Sequence, residues 1–158
     1  MVLLTPMGDS VTVTMKATPA AVWALVTDVT RIGEFSPETL EGRWIAPATG
    51  PAVGARFQGH VKRNGRGPMY WTTARVVTAD PEREFAFVVE VPGGREVNTW
   101  GYRIAPRADG SEVTESFRLT PSLPLKLYWL LFGRLRVTTN RNGIRQTLER
   151  MKAVLETD

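Results

Sequence analysis

Glu115 is the residue around which chemistry could most readily be built. It falls between Val113 and Phe117 in the alternation of a strand-like run, with Leu119 further along the same face. A carboxyl group that points where apolar side chains point leaves water, so it must be paired, hydrogen-bonded or protonated. Shielded in that way, it could hold a ligand hydroxyl or act as a general acid or base. Two other readings stay open. Glu115 could pair with an arginine of a neighbouring strand, such as Arg103, or face water if the strand slips by one residue. Tyr102 is the second candidate and shares its face with Asn98 and Trp100. Its phenol could donate to a ligand or join Glu115 in acid/base work. The alternation does not settle whether Trp100, Tyr102 and Ile104 or Thr99, Gly101 and Arg103 form the inner set.

Most other constellations are excluded. The chain has no cysteine and one histidine, so zinc-thiolate sites, cysteine nucleophiles and sites needing two histidines are absent. His60 alternates with Arg56, Gln58 and Lys62, which puts it on a solvated face and not in a nucleophile–base set. Asp28 follows a helical run and reads as a cap. The basic RNGRG stretch (Arg63–Gly67) lacks a following helix and is no phosphate loop. No metal or cofactor site is expected.

The elements that must position Glu115 and Tyr102 are mostly strands. Val11–Lys16 alternates apolar and polar residues. Thr18 can cap a helix with Pro19 in its first turn, and Val22, Trp23, Leu25 and Val26 give that helix an apolar face. A short helical turn near Arg31–Phe35 ends at Pro37. Strands follow at about Leu40–Ala46, Ala55–Lys62, Tyr70–Thr78, Glu84–Val91, Val97–Ala105 and Glu112–Leu119, separated by Gly- and Pro-rich turns. From Gly133 to about Glu156, Val137, Ile144 and Met151 recur at helical spacing, as do Arg141, Leu148 and Leu155, which predicts one long amphipathic helix. Gly143 lies inside it. A mid-helix glycine costs about 1 kcal/mol against alanine, so it marks a close approach to the sheet or a void beside it.

A curved antiparallel sheet around that helix could enclose a cavity. The aromatic residues on the strands are the candidate lining: Trp44, Phe57, Trp71, Phe85, Phe87, Trp100 and Phe117. Phe57 shares its face with Gly59 and Val61, and Phe85 shares its face with Phe87 and Val89. Glu115, Leu127 and Gly143 complete the candidate ligand-binding set. Apolar walls with few polar groups suit a small molecule, although the same aromatics could simply fill a core.

The chain has 158 residues and a net charge of +4, which fits one domain, with its core at about 9–156. Lys126 to Lys152 carries a net charge of +6, while the rest of the chain sums to −2. Leu123–Phe132 is apolar and is followed by Arg134 and Arg136. An apolar wedge beside cations suits transient contact of residues 123–136 with a membrane surface, or a gate to the cavity. No segment reaches the roughly 20 apolar residues of a membrane span, and MVLLTPMGDS does not read as a signal peptide. The expected location is cytoplasmic. No base-reading motif accompanies the basic helix, so nucleic acid is not an expected partner.

Several segments together resemble the SRPBCC (START-like) superfamily. In VTVTMKATPAAVWALVTDVTRIGEFSPE the matching positions are Ala17, Pro19, Val22, Trp23, Val26, Asp28 and Phe35-Ser36-Pro37. VGARFQGHVKRNG, DPEREFAFVVEV, NTWGYRIAPRADGSEVTESF and TLERMKAVLE resemble later strands and the final helix, in the family's order. The likeness is greatest to the bacterial, especially actinobacterial, polyketide cyclase/dehydrase and lipid-transport branch. It implies an α+β helix-grip fold: a curved seven-stranded antiparallel sheet wrapped around a long C-terminal helix, with two short helices between the first two strands. That fold hosts binders, transporters and enzymes, so function must come from the site. The expectation is a binding or carrier protein for a hydrophobic small molecule of lipid, polyketide or isoprenoid type. The alternatives are a cyclase, aromatase or dehydratase working through Glu115 or Tyr102, and a protein that docks a partner or a membrane.

Overall fold

The computed structural model describes residues 8–62, 68–120 and 141–157. Seven strands form one antiparallel sheet: β1 (Gly8–Met15), β2 (Thr39–Trp44), β3 (Arg56–Val61), β4 (Tyr70–Asp80), β5 (Glu84–Val91), β6 (Arg95–Arg107) and β7 (Gly110–Leu119). Their order across the sheet is β1-β7-β6-β5-β4-β3-β2, so the first strand returns to pair with the last. Helix α1 (Pro19–Thr27) and a 3₁₀ turn (Val29–Glu34) link β1 to β2. Residues 141–157 form the C-terminal helix, α2. The sheet is a curled half-barrel. The stretch expected to begin α2, 133–140, lies outside the described residues.

Local chemistry sets the joints. The Thr18 side chain accepts a hydrogen bond from the Ala21 amide at 3.1 Å, and Pro19 needs no donor in the first turn. Asp28 ends α1 and caps the 3₁₀ turn by accepting from the Thr30 amide at 3.1 Å. The turn packs on β2 because Gly42 has no side chain, and a Cβ there would collide with the Val29 carbonyl. Gly110 starts β7 at φ 152°, where a Cβ would strike the backbone of Met15.

Alternation then divides the sheet into a wet face and a dry one. On the convex side Arg75 bridges Glu90 and Glu96 at 2.8 and 2.7 Å, and Arg103 meets Glu84 at 3.0 Å. On the concave side Val11, Met15, Val76, Ile104 and Val113 are buried in one cluster with Val22, Leu25 and Val26 of α1. Ile144, Leu148 and Met151 of α2 join that cluster as a stripe at spacings of four and three residues. Both ends of β1 hold α2. Arg141 donates to both Asp9 carboxylate oxygens at 2.7 and 3.1 Å, and Glu156 accepts from the Lys16 amide at 2.9 Å. Helix α1 packs against β5, β6 and β7. It fills the end of the concave face that contains Phe85, whose ring meets Trp23 edge-on at 6.2 Å. The other end is hollow.

Candidate functional site

The hollow end is a cavity of about 540 Å³ between the concave face and α2. Phe57 of β3, Phe87 of β5, Trp100 of β6 and Phe117 of β7 wall it. Phe57 meets Phe87 edge-on at 5.0 Å, and Trp100 leans on Phe117 at 4.7 Å. Gly143 faces it from α2, and a Cβ there would meet no described atom within 4 Å. Of the two meanings of a mid-helix glycine, the void is the one observed.

The face left open by alternation on β6 is settled. Asn98, Trp100 and Tyr102 face the cavity, and Arg103 faces water. Tyr102 stands opposite Glu115 in the β6–β7 register, and its hydroxyl donates to Glu115 Oε1 at 3.2 Å. That is long for an O–H···O bond, so it offsets little of the cost of burial. The Glu115 side chain is almost completely buried, and burial pushes its carboxyl up to about 8 against a weaker downward pull from Tyr102. Burial first and the nearby Glu115 second drive the Tyr102 phenol well above its ordinary range. The Arg103 pairing is thereby replaced: Arg103 bonds Glu84 on the convex side, and Tyr102 is the partner of Glu115. Glu115 Oε2 and Asn98 Oδ1 are buried and have no hydrogen-bond partner among the described residues.

Three expected lining residues stand elsewhere. Trp71 is on the convex face. It stacks on His60 at 4.5 Å and 6°, with the Arg43 guanidinium 4.4 Å from its ring. The reason is period two. Tyr70, Thr72 and Ala74 take the concave positions of β4, and Arg75, on the same alternation as Trp71, must reach Glu90 and Glu96 outside. Phe85 is solid core beneath Trp23, because α1 covers that end of the sheet. Trp44 stands opposite Phe57 in the β2–β3 register and packs edge-on against its ring at 5.5 Å, but is not among the described lining residues. Leu127 and the segment 123–136 lie outside the described residues. The reading also missed Tyr70, Thr72 and Thr147, which face the cavity. Arg75 was the available signal for the first two. Trp71→Ala should therefore cost about 1 kcal/mol or less in urea unfolding, the value of an exposed cation–π contact, and leave cavity binding unchanged.

The family model for polyketide cyclase / dehydrase and lipid transport matches residues 10–156. The chain belongs to this family. Among solved structures it is similar to a polyketide-cyclase-like protein from Corynebacterium glutamicum, with 29% identity and a TM-score of 0.66 over 96% of this chain and 93% of that one. The di-domain ARO/CYC StfQ of the steffimycin biosynthetic pathway matches with 13% identity and a TM-score of 0.69, over 96% of this chain and 51% of that one. An AHSA1-like protein from Aeromonas hydrophila matches with 19% identity and a TM-score of 0.63, over 96% and 93%. The last two show the fold alone. No curated protein matches the sequence. The polyketide cyclase/dehydrase and lipid transport family thus supplies the SRPBCC helix-grip fold that the motifs implied. No described helix of this family member is long and apolar enough to cross a membrane.

Proposed function

We propose that the chain binds and carries a hydrophobic small molecule in the cavity between the concave face and α2. The observation that carries this reading is the hollow itself. About 540 Å³ stays open beside aromatic walls, within the range of small-molecule sites, while the neighbouring end of the same face is packed solid. The supply of reactive groups favours a carrier. Among the described lining residues the titratable ones are two carboxyls, Glu38 and Glu115, and two phenols, Tyr70 and Tyr102. Filling the hollow tests the reading. Gly143→Leu adds a side chain at the cavity wall, where its Cβ meets no described atom within 4 Å, on a helix that prefers leucine to glycine. The variant should gain up to about 1 kcal/mol of stability and lose affinity for the neutral dye N-phenyl-naphthylamine by at least about tenfold. Equal dye affinity in the two proteins would place the dye elsewhere.

The same carboxyl supports a second reading, acid/base catalysis. A carboxyl that titrates near neutrality can pass a proton in either direction, as a cyclase or dehydratase requires. Under that reading Glu115→Gln lowers turnover of a polyketide-like substrate by about 10²–10⁴ while dye affinity stays constant.

A further inference from the structure

Two buried oxygens, Glu115 Oε2 and Asn98 Oδ1, have no partner among the described residues, and both residues face the cavity. Buried polar atoms are almost always satisfied, so an orphan in a cavity wall marks the place of an absent partner. The two orphans are far apart. Tyr102, which pairs with Glu115, lies four residues beyond Asn98 on β6, a span of about 13 Å along the strand. Between them on the same face stand Trp100 and Phe117, in register and in ring contact. The wall therefore reads polar, aromatic, polar along one line.

Charge narrows the occupant further. No lysine, arginine or histidine is among the described lining residues. Arg141, at the described start of α2, is engaged by Asp9. An anionic head placed against these described residues would lose its water and meet no cation among them. A hydroxyl fits both ends. It donates and accepts, Asn98 offers a carbonyl and an amide, and Glu115 accepts or, when protonated, donates.

Building on the binding reading above, we propose that the cavity selects neutral, elongated ligands that carry an apolar ring system and a hydroxyl near each end, one at Glu115 and one at Asn98, and rejects ligands with anionic heads. The test is competition against N-phenyl-naphthylamine by a matched set of rods: stilbene, its para-monophenol, its para,para′-diphenol and its para,para′-dicarboxylate. The diphenol should bind tightest, each hydroxyl adding about a factor of ten, and the dicarboxylate weakest. Asn98→Leu and Glu115→Leu should each narrow the diphenol's advantage over stilbene by about one such factor. Glu115→Leu also takes the acceptor from the buried Tyr102 hydroxyl, so circular dichroism checks that both variants fold. A dye that binds while the four rods compete equally, or while the dicarboxylate wins, overturns the selectivity and spares the cavity reading. A dye that fails to bind at all overturns both.

Discussion

Raising the pH from about 4.5 to about 8 will lower the stability of the folded chain, and Glu115→Gln will abolish that decline. The unfolded carboxyl releases its proton near 4.5, whereas the buried one holds it up to about 8. Between those values the folded state binds a proton that the unfolded state has lost. Stability from this group is complete below the window and falls as pH rises through it, by up to about 1.4 kcal/mol per pH unit. Glutamine keeps the shape and a hydrogen-bond acceptor for Tyr102 but does not titrate. The two proteins should have similar urea midpoints near the acid edge of the window and diverge above it, with the variant the more stable. Asp9 acts in a separate range. The hydrogen bond from Arg141 holds its carboxyl below its ordinary value, so its contribution is lost only as pH falls through the acid range. A wild-type stability that is flat across the Glu115 window would mean that this carboxyl is hydrated or paired with a cation.

Phe85→Ala will be among the most damaging single changes in the described core. The ring is 1% exposed, lies edge-on to Trp23 and is surrounded by the cluster that α1 closes. Deleting it should cost about 3–5 kcal/mol, the range for a buried phenylalanine whose site cannot collapse. Phe117→Ala offers the contrast. Phe117 borders the hollow, so its loss enlarges an existing space and should weaken N-phenyl-naphthylamine binding more than Phe85→Ala does, measured in folded protein. If Phe85→Ala were the variant that lost the dye while keeping its melting temperature, the division of the concave face into a solid end and a hollow end would be wrong.

Much of this fold was legible because its signals are local. Thr18 and Pro19 start α1, Asp28 and Pro37 bracket the 3₁₀ turn, and turn residues separate strands whose ends fall within about two or three residues of expectation. The face of Glu115 was legible too, since Val113 and Phe117 flank it on a strand without a break in pairing. What sequence could not supply was the third dimension of packing. Phe85 and Phe87 share a face and a residue type, yet one is core and the other is cavity wall. The difference is where α1 ends its cover, which no spacing along β5 records. Trp71 misleads for a different reason: its size and apolarity suggest the interior, whereas the alternation it shares with Arg75 puts it outside. The tyrosine partner of Glu115 depends on the β6–β7 register, which the two-residue turn at Ala108-Asp109 sets.

The most direct test of the cavity account is an NMR titration with N-phenyl-naphthylamine, read by intermolecular nuclear Overhauser effects. The account predicts contacts from the dye to the rings of Phe57, Phe87, Trp100 and Phe117 and to the α-protons of Gly143, with none to the Trp71 indole. Contacts confined to Trp71 and its convex neighbours, or no contacts to the four cavity rings at saturating dye, would contradict it.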